Sequence, residues 1–138
     1  MTDMTDPPSA FAQMLGYDLV DWREGFARYE MAISGKLGNR EGIVHGGVHA
    51  TLLDSAMGIS GCWTGEADAR AVALTLSLNV QYIGKPRGAR LICDARMTGG
   101  GRSIFYAEAT LSDDLGTLVA KGSGVFKRRR PPDATDGQ

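Results

Sequence analysis

Between Gly42 and Gly65, in the stretch GIVHGGVHATLLDSAMGISGCWTG, Asp54 is the one Asp, Glu, Lys or Arg. The spacing predicts a helix over about 47–63. Val48, Leu52, Ala56, Ile59 and Trp63 fall in one stripe, flanked by Leu53, that should pack on a sheet. Asp54 lies roughly opposite, beside Ala50, Thr51, Gly58 and Gly61. Most helical aspartates face water. A solvated face, however, carries several long charged side chains, and this one carries small ones. A helix that is small or apolar all round is normally covered on every side. One long helix in a chain of 138 residues leaves little to cover that outer side, so a second subunit is expected there. A lone carboxylate at such an interface is a candidate for chemistry.

The entry to the helix adds a second element. Gly46 and Gly47 follow His45, and glycine lets backbone N–H groups come close to a ligand. A helix N-terminus concentrates unpaired donors and positive dipole, a suitable cradle for a developing oxyanion. A plain glycine-rich turn reads the same way. His45 and His49 are four residues apart but lack the Glu of an H-E-x-x-H pattern, so no metal is expected. No G-x-S-x-G and no phosphate-binding G-x-x-x-x-G-K-[ST] occurs, and no cofactor is expected.

The elements that must hold these groups are legible from the patterning. Length favours one domain. Fifteen Lys and Arg against sixteen Asp and Glu give a net charge of −1, with no field to hold nucleic acid or an anionic membrane. No run approaches the roughly 20 apolar residues of a span, and the N-terminus has no basic region of a signal peptide. Cys62 and Cys93 lack metal-ligand spacing and read as free thiols in a reducing compartment, so a cytoplasmic protein is expected.

Residues 1–8 are expected to be disordered, 9–127 to form the domain, and 128–138 to be a flexible tail. Ser9 can cap a short helix to about Gly16. Residues 17–34 read as a hairpin turning near Glu24-Gly25, and 35–47 as a glycine-punctuated loop. In AVALTLSLNVQYI, the residues Val72, Leu74, Leu76, Leu78, Val80 and Tyr82 alternate with polar ones, which predicts a strand over 71–83 with one apolar face. KPRG turns the chain, and strands follow over 89–98, 103–112 and 117–127. A lone helix before a four-stranded meander argues for an α+β fold with the helix on one sheet face.

The spacing N-x5-HGG-x7-D, from Asn39 through His45-Gly46-Gly47 to Asp54, resembles the hotdog-fold acyl-CoA thioesterases, in particular the PaaI and thioesterase-superfamily-member-2 branch. ALTLSLNVQYIGKPRG, with its Asn79-x-x-Tyr82 pair, GGGRS at 99–103 and DDLGTLVAKGSGVF are similar to later segments of that family. The resemblance covers about residues 11–127. It implies a long central helix wrapped by a curved antiparallel β-sheet, a homodimer or a homotetramer built as a dimer of dimers, and active sites at the subunit interface. It also implies a carboxylate at Asp54 acting as nucleophile or general base, the Gly46 N–H binding the thioester oxygen, Asn39 placing the reacting groups, and a strand hydroxyl at Thr75. His45 would order the loop.

The residue chemistry agrees with this resemblance. A thioester has a good leaving group, so an activated nucleophile and an oxyanion site suffice. Coenzyme A needs cations for its phosphates, and Arg102, Arg87 and Lys85, with Gly47 at the helix entry, are the candidates for binding substrate. Arg90 and the run from Lys127 to Arg130 are further basic groups, and solvated surface charge is the alternative for each. A hotdog hydratase would need a different His and acid spacing. A non-catalytic acyl-CoA-binding protein of the same fold is the alternative function.

Overall fold

A computed structural model describes residues 7–66 and 71–129. Helix α1 (Ala10–Leu15) starts where the Ser9 hydroxyl accepts from the Ala12 N–H at 3.0 Å, and stops at Gly16, whose φ of 91° suits glycine. Strands β1 (Tyr17–Arg23) and β2 (Phe26–Ala32) form the expected hairpin. A short 3-10 turn (Gly35–Leu37) and an isolated bridge from Gly38 to Val44 structure the loop before helix α2 (Gly46–Ser60). Strands β3 (Val72–Tyr82), β4 (Arg90–Gly100), β5 (Ile104–Asp113) and β6 (Leu118–Arg129) complete one antiparallel sheet in the order β1-β2-β4-β5-β6-β3. The architecture is the α+β hotdog: α2 lies in the curve of the sheet and touches all six strands.

Four apolar side chains of α2, Leu52, Leu53, Ala56 and Met57, are fully enclosed, as is Ser60. The apolar four meet Leu91, Cys93, Phe105, Leu111, Val119 and Phe126 from the central strands. The rings of Phe105 and Phe126 stack with centroids 5.3 Å apart. Burial of each larger aliphatic or aromatic side chain stabilises the fold by about 1.5–3 kcal/mol. The buried stripe is wider than the expected one. It includes His49, Met57 and Ser60, whereas Ile59 is half-buried and Trp63 lies past the helix end. The sheet curves around the helix and so covers more of its circumference than a flat sheet would.

Two expectations for β3 are corrected. It does not pair with β4 across KPRG. It pairs with β6 at the far edge, and residues 83–89 run across the end of the sheet to reach β4. That crossing is clasped by two carboxylates. Asp113 accepts from the N–H groups of Arg87, Gly88, Leu115 and Thr117, and Asp114 from those of Ala89 and Arg90. Burial alone would raise the Asp113 pKa. The backbone bonds from Arg87, Thr117 and Gly88 outweigh it and hold the carboxyl below the usual range.

Nor does β3 have one apolar face. Its register with β6 shifts between Thr75 and Ser77, leaving Leu76 as an extra residue. A bulge of one residue reverses which side chains point inward. Ala73 and Thr75 face the helix before it, and Val80 and Tyr82 face it after. Val72 and Leu74 fall on the outer face, opposite Arg129 and Lys127.

The expected disordered residues 1–6 and tail residues 130–138 lie outside the described residues. Pro7 and Pro8 wall a cleft described below, and β6 carries Arg128 and Arg129 two residues past the expected domain end.

Candidate active site

Asp54 sits in the third turn of α2, half-buried, and the Thr75 hydroxyl donates to its Oδ1 at 2.7 Å. Thr75 can do this because it is the last inward residue of β3 before the bulge. The bond occupies one carboxylate oxygen and leaves Oδ2 free of that contact. Both residues open onto a cleft of about 430 Å³. Its floor is Ser55, Gly58 and Ile59 of α2 with Cys62 just beyond the helix, and its walls are Tyr17, Leu19 and Tyr29 from the hairpin, Ala73 from β3 with Ala71 just before it, and Pro7, Pro8, Ser9 and Ala12. Tyr17 and Ser55 share a hydroxyl contact of 3.2 Å within this wall. The cleft mixes apolar walls with hydroxyls and two carboxylates, Asp54 and Asp18, and is a concave site large enough for a small ligand.

The helix entry is built differently. His45 is the N-cap, and its Nδ1 accepts from the Gly47 N–H at 2.7 Å while its carbonyl accepts from Val48. The imidazole is therefore a cap. A Cβ on Gly47 would lie 2.9 Å from that Nδ1, so glycine is required there by the approach of the ring. Neither Gly46 nor Gly47 has positive φ. Asn39 organises the loop: its Oδ1 accepts from the N–H groups of Glu41 at 2.8 Å and Ile43 at 3.2 Å. That leaves the amide nitrogen of Asn39 outside these two bonds.

The structure thus brings Asp54 and Thr75 together and gathers Asn39, His45, Gly46 and Gly47 at another place. α2 is unbroken from Gly46 to Ser60, so Gly46 and Asp54 are separated by roughly 12 Å of rise. None of Asn39, His45, Gly46 and Gly47 lines the Asp54 cleft. The cationic candidates also divide. Lys85 and Arg87 stand where β4 begins, and Arg102 stands in the turn where β4 ends. The eleven residues of β4 put these groups at opposite ends of the sheet, on the order of 35 Å apart along the strand.

Three residues hold positions that the sequence reading did not assign to them. Tyr82, the last residue of β3, donates its hydroxyl to the Gly46 carbonyl at 3.0 Å. His49 is 5% exposed, and neither of its ring nitrogens has a hydrogen-bond partner among the described residues. Burial, with His45 nearby, lowers its pKa and keeps the imidazole neutral. Arg128 donates from Nε to the Gly61 carbonyl at 2.7 Å and from Nη1 to the carbonyls of Gly101 and Arg102, and it lies over the Phe105 ring. In the sequence it was one charge of a basic run, with nothing to mark its inward position.

Comparison with known proteins supplies the context. Residues 41–120 match the model of the thioesterase superfamily. A Halobacterium salinarum protein that bears an esterase name is 35% identical over 122 residues, covering 82% of this chain and 80% of that one. The structure of a conserved protein from Pseudomonas aeruginosa superimposes with a TM-score of 0.78 at 31% identity, over 88% of this chain and 94% of that one. The PaaI protein of the E. coli phenylacetic acid degradation operon shares the fold, with a TM-score of 0.76 at 21% identity over 87% and 84% of the two chains.

Proposed function

The chain belongs to the thioesterase superfamily, whose members hydrolyse thioesters, and from that membership we propose that it is an acyl-CoA thioesterase with Asp54 as the reacting carboxylate. The observation that carries this reading is the bond from Thr75 to Asp54 at the mouth of the cleft. The hydroxyl fixes the carboxylate's rotamer and leaves one oxygen to attack the thioester carbonyl or to take a proton from water. On the first route water then hydrolyses the acyl anhydride on Asp54, and on the second the deprotonated water attacks the carbonyl itself; either way the C–S bond breaks, one water is consumed, coenzyme A leaves as the thiolate to be protonated, and the acyl group leaves as the free acid. The Gly46 N–H receives the oxyanion, and Asn39 helps to place the reacting groups.

These groups cannot serve one carbonyl from within one chain, because the helix holds them apart. A homodimer resolves this. β3 is an edge strand with no strand on its outer side among the described residues, and Val72, Leu74, Leu76 and Tyr82 on it are 49–58% exposed. Open edges of this kind are normally covered. Pairing β3 with its two-fold mate sets the two copies of α2 antiparallel. Gly46 and Asn39 of one chain then approach Asp54 of the other, and Lys85 and Arg87 of one chain approach the end that carries Arg102 of the other. Each site would take its carboxylate from one protomer, and its oxyanion donor from the partner. Two such dimers can pair into a tetramer.

The test is Asp54→Asn, assayed by release of free thiol from acyl-CoA substrates. The expected outcome is a loss of roughly 10²–10⁴ in kcat, the worth of a positioned base, with the melting temperature and mass in solution unchanged. A variant that keeps most of its activity contradicts the assignment. An enzyme that binds acyl-CoA without turning it over would be a binding protein of the same fold.

A further inference from the structure

We propose that Tyr82 is the positioning residue that holds the Gly46 N–H in register for the oxyanion, an inference that rests on the site described above. Gly46 is the first residue of α2, and its backbone does not need glycine's conformational freedom. What crowds position 46 is Tyr82, whose ring would have to give by a few tenths of an ångström to admit a side chain. A Cβ at position 46 would lie 3.2 Å from Cε1 of that ring and 3.5 Å from both Cζ and the hydroxyl oxygen. The ring is laid directly against the helix's first residue, and its hydroxyl donates to the Gly46 carbonyl at 3.0 Å. A carbonyl oxygen has two lone pairs, so this bond is compatible with one from the helix ladder.

The ring is also backed. His49, one turn along α2 and enclosed by the protein, places its imidazole 6.0 Å from the Tyr82 ring at an interplanar angle of 35°. Tyr82 is thus held between His49 and Gly46. The other bonds of the first turn go to the N–H groups of Gly47 and Val48, both on His45. None of them uses the Gly46 N–H. The carbonyl that Tyr82 holds belongs to the Gly46–Gly47 peptide, one Cα away from the Gly46 N–H; ring contact and carbonyl bond together fix the position of Gly46, while no bond to its N–H occurs among the described residues.

A single strand then sets both ends of the chemistry. β3 holds Asp54 through Thr75 before its bulge and Gly46 through Tyr82 after it. Because β3 is also the edge proposed to pair with the partner, Tyr82 of one chain and Thr75 of the other would share one site.

The experiment compares wild type with Tyr82→Phe and Asp54→Asn in steady-state hydrolysis of acetyl-, hexanoyl- and phenylacetyl-CoA, with solution mass and far-UV circular dichroism as controls. The phenyl variant keeps the ring and removes only the hydroxyl. Its kcat should fall about 10-fold with KM within about 2-fold, since a misaligned oxyanion donor is felt in the transition state and hardly in the ground state. Site-specific 3-fluorotyrosine at position 82 retains the hydroxyl and should keep kcat near that of wild type. A Tyr82→Phe kcat within 2-fold of wild type, alongside an inactive Asp54→Asn, overturns the role of Tyr82 and leaves the site intact. An active Asp54→Asn strikes down the site and this inference together. A fluorotyrosine protein as slow as the phenyl variant also overturns it, because the hydroxyl would then not be the cause.

Discussion

The two ends of α2 are built on opposite principles. At the C-terminal end every exit is closed from within the chain. The Trp22 indole donates to the Ile59 carbonyl at 3.0 Å, and Arg128 donates to that of Gly61 at 2.7 Å. Trp63 packs edge-on against Trp22 with centroids 5.4 Å apart. A Cβ on Gly61 would collide with the Phe105 ring. Arg128 also places a cation where the helix dipole is negative. At the N-terminal end two glycines leave the backbone bare, His45 caps the N–H groups of Gly47 and Val48 and is itself tied to the Leu37 carbonyl, and the side-chain bond that reaches the first turn from the sheet comes from Tyr82 on an edge strand. The closed end anchors the helix in its own sheet. The open end keeps backbone donors available and depends for its completion on the strand that faces a partner.

The comparison can be broken at either end. The larger effect on stability belongs to the closed end. Arg128→Met keeps the aliphatic stem and leaves the Gly61 carbonyl without its donor, so unfolding should be easier by about 1–3 kcal/mol. Denaturant titration measures this. Because Arg128 makes no contact with Asp54, Thr75 or Gly46, kcat per folded molecule should stay within about 2-fold, and any change should fall on KM through the Arg102 turn that Arg128 holds. A smaller effect, in the opposite currency, belongs to the bulged strand. Thr75→Ala frees the Asp54 rotamer and should lower kcat about 10-fold, or about 1.4 kcal/mol in barrier, with little change in melting temperature. If Thr75→Ala destabilised the protein as much as Arg128→Met and left kcat alone, the division between anchoring and reacting regions would be false.

Much of this molecule is legible in its sequence, and the exceptions share a cause. The hairpin around Gly25, the span of α2 and the limits of β3 to β6 follow from local alternation and turn residues, which need no knowledge of neighbours. Strand order does not follow in that way. β3 lies beside β6 because residues 83–89 cross the sheet end under the hold of Asp113 and Asp114, a contact between distant segments. The bulge at Leu76 adds one residue to a perfect alternation, so the sequence of β3 reads as one apolar face although the strand has two. The wider stripe of α2, with His49 and Met57 inside, reflects the curvature of the sheet. In the site, Asp54 stands out as a lone charge and Gly46 as part of an entry motif. Tyr82 is marked in the sequence only as part of the Asn79-x-x-Tyr82 pair, with no chemical role attached, and its role depends on where β3 meets the helix start.

The dimer proposed above requires one site to be shared between two chains. Its most direct test mixes Asp54→Asn protein with Asn39→Ala protein, each depleted of activity, under conditions that let subunits exchange. Exchange is verified by mass spectrometry with one protein isotopically labelled. In a mixed dimer one site receives the intact Asp54 from one chain and the intact Asn39 from the other, while the second site receives both substitutions. Activity should return on mixing, at about half that of a normal dimer for each mixed dimer formed, by the symmetry of the two-fold. Verified exchange with no return of thiol release would place each site within a single chain and contradict the account.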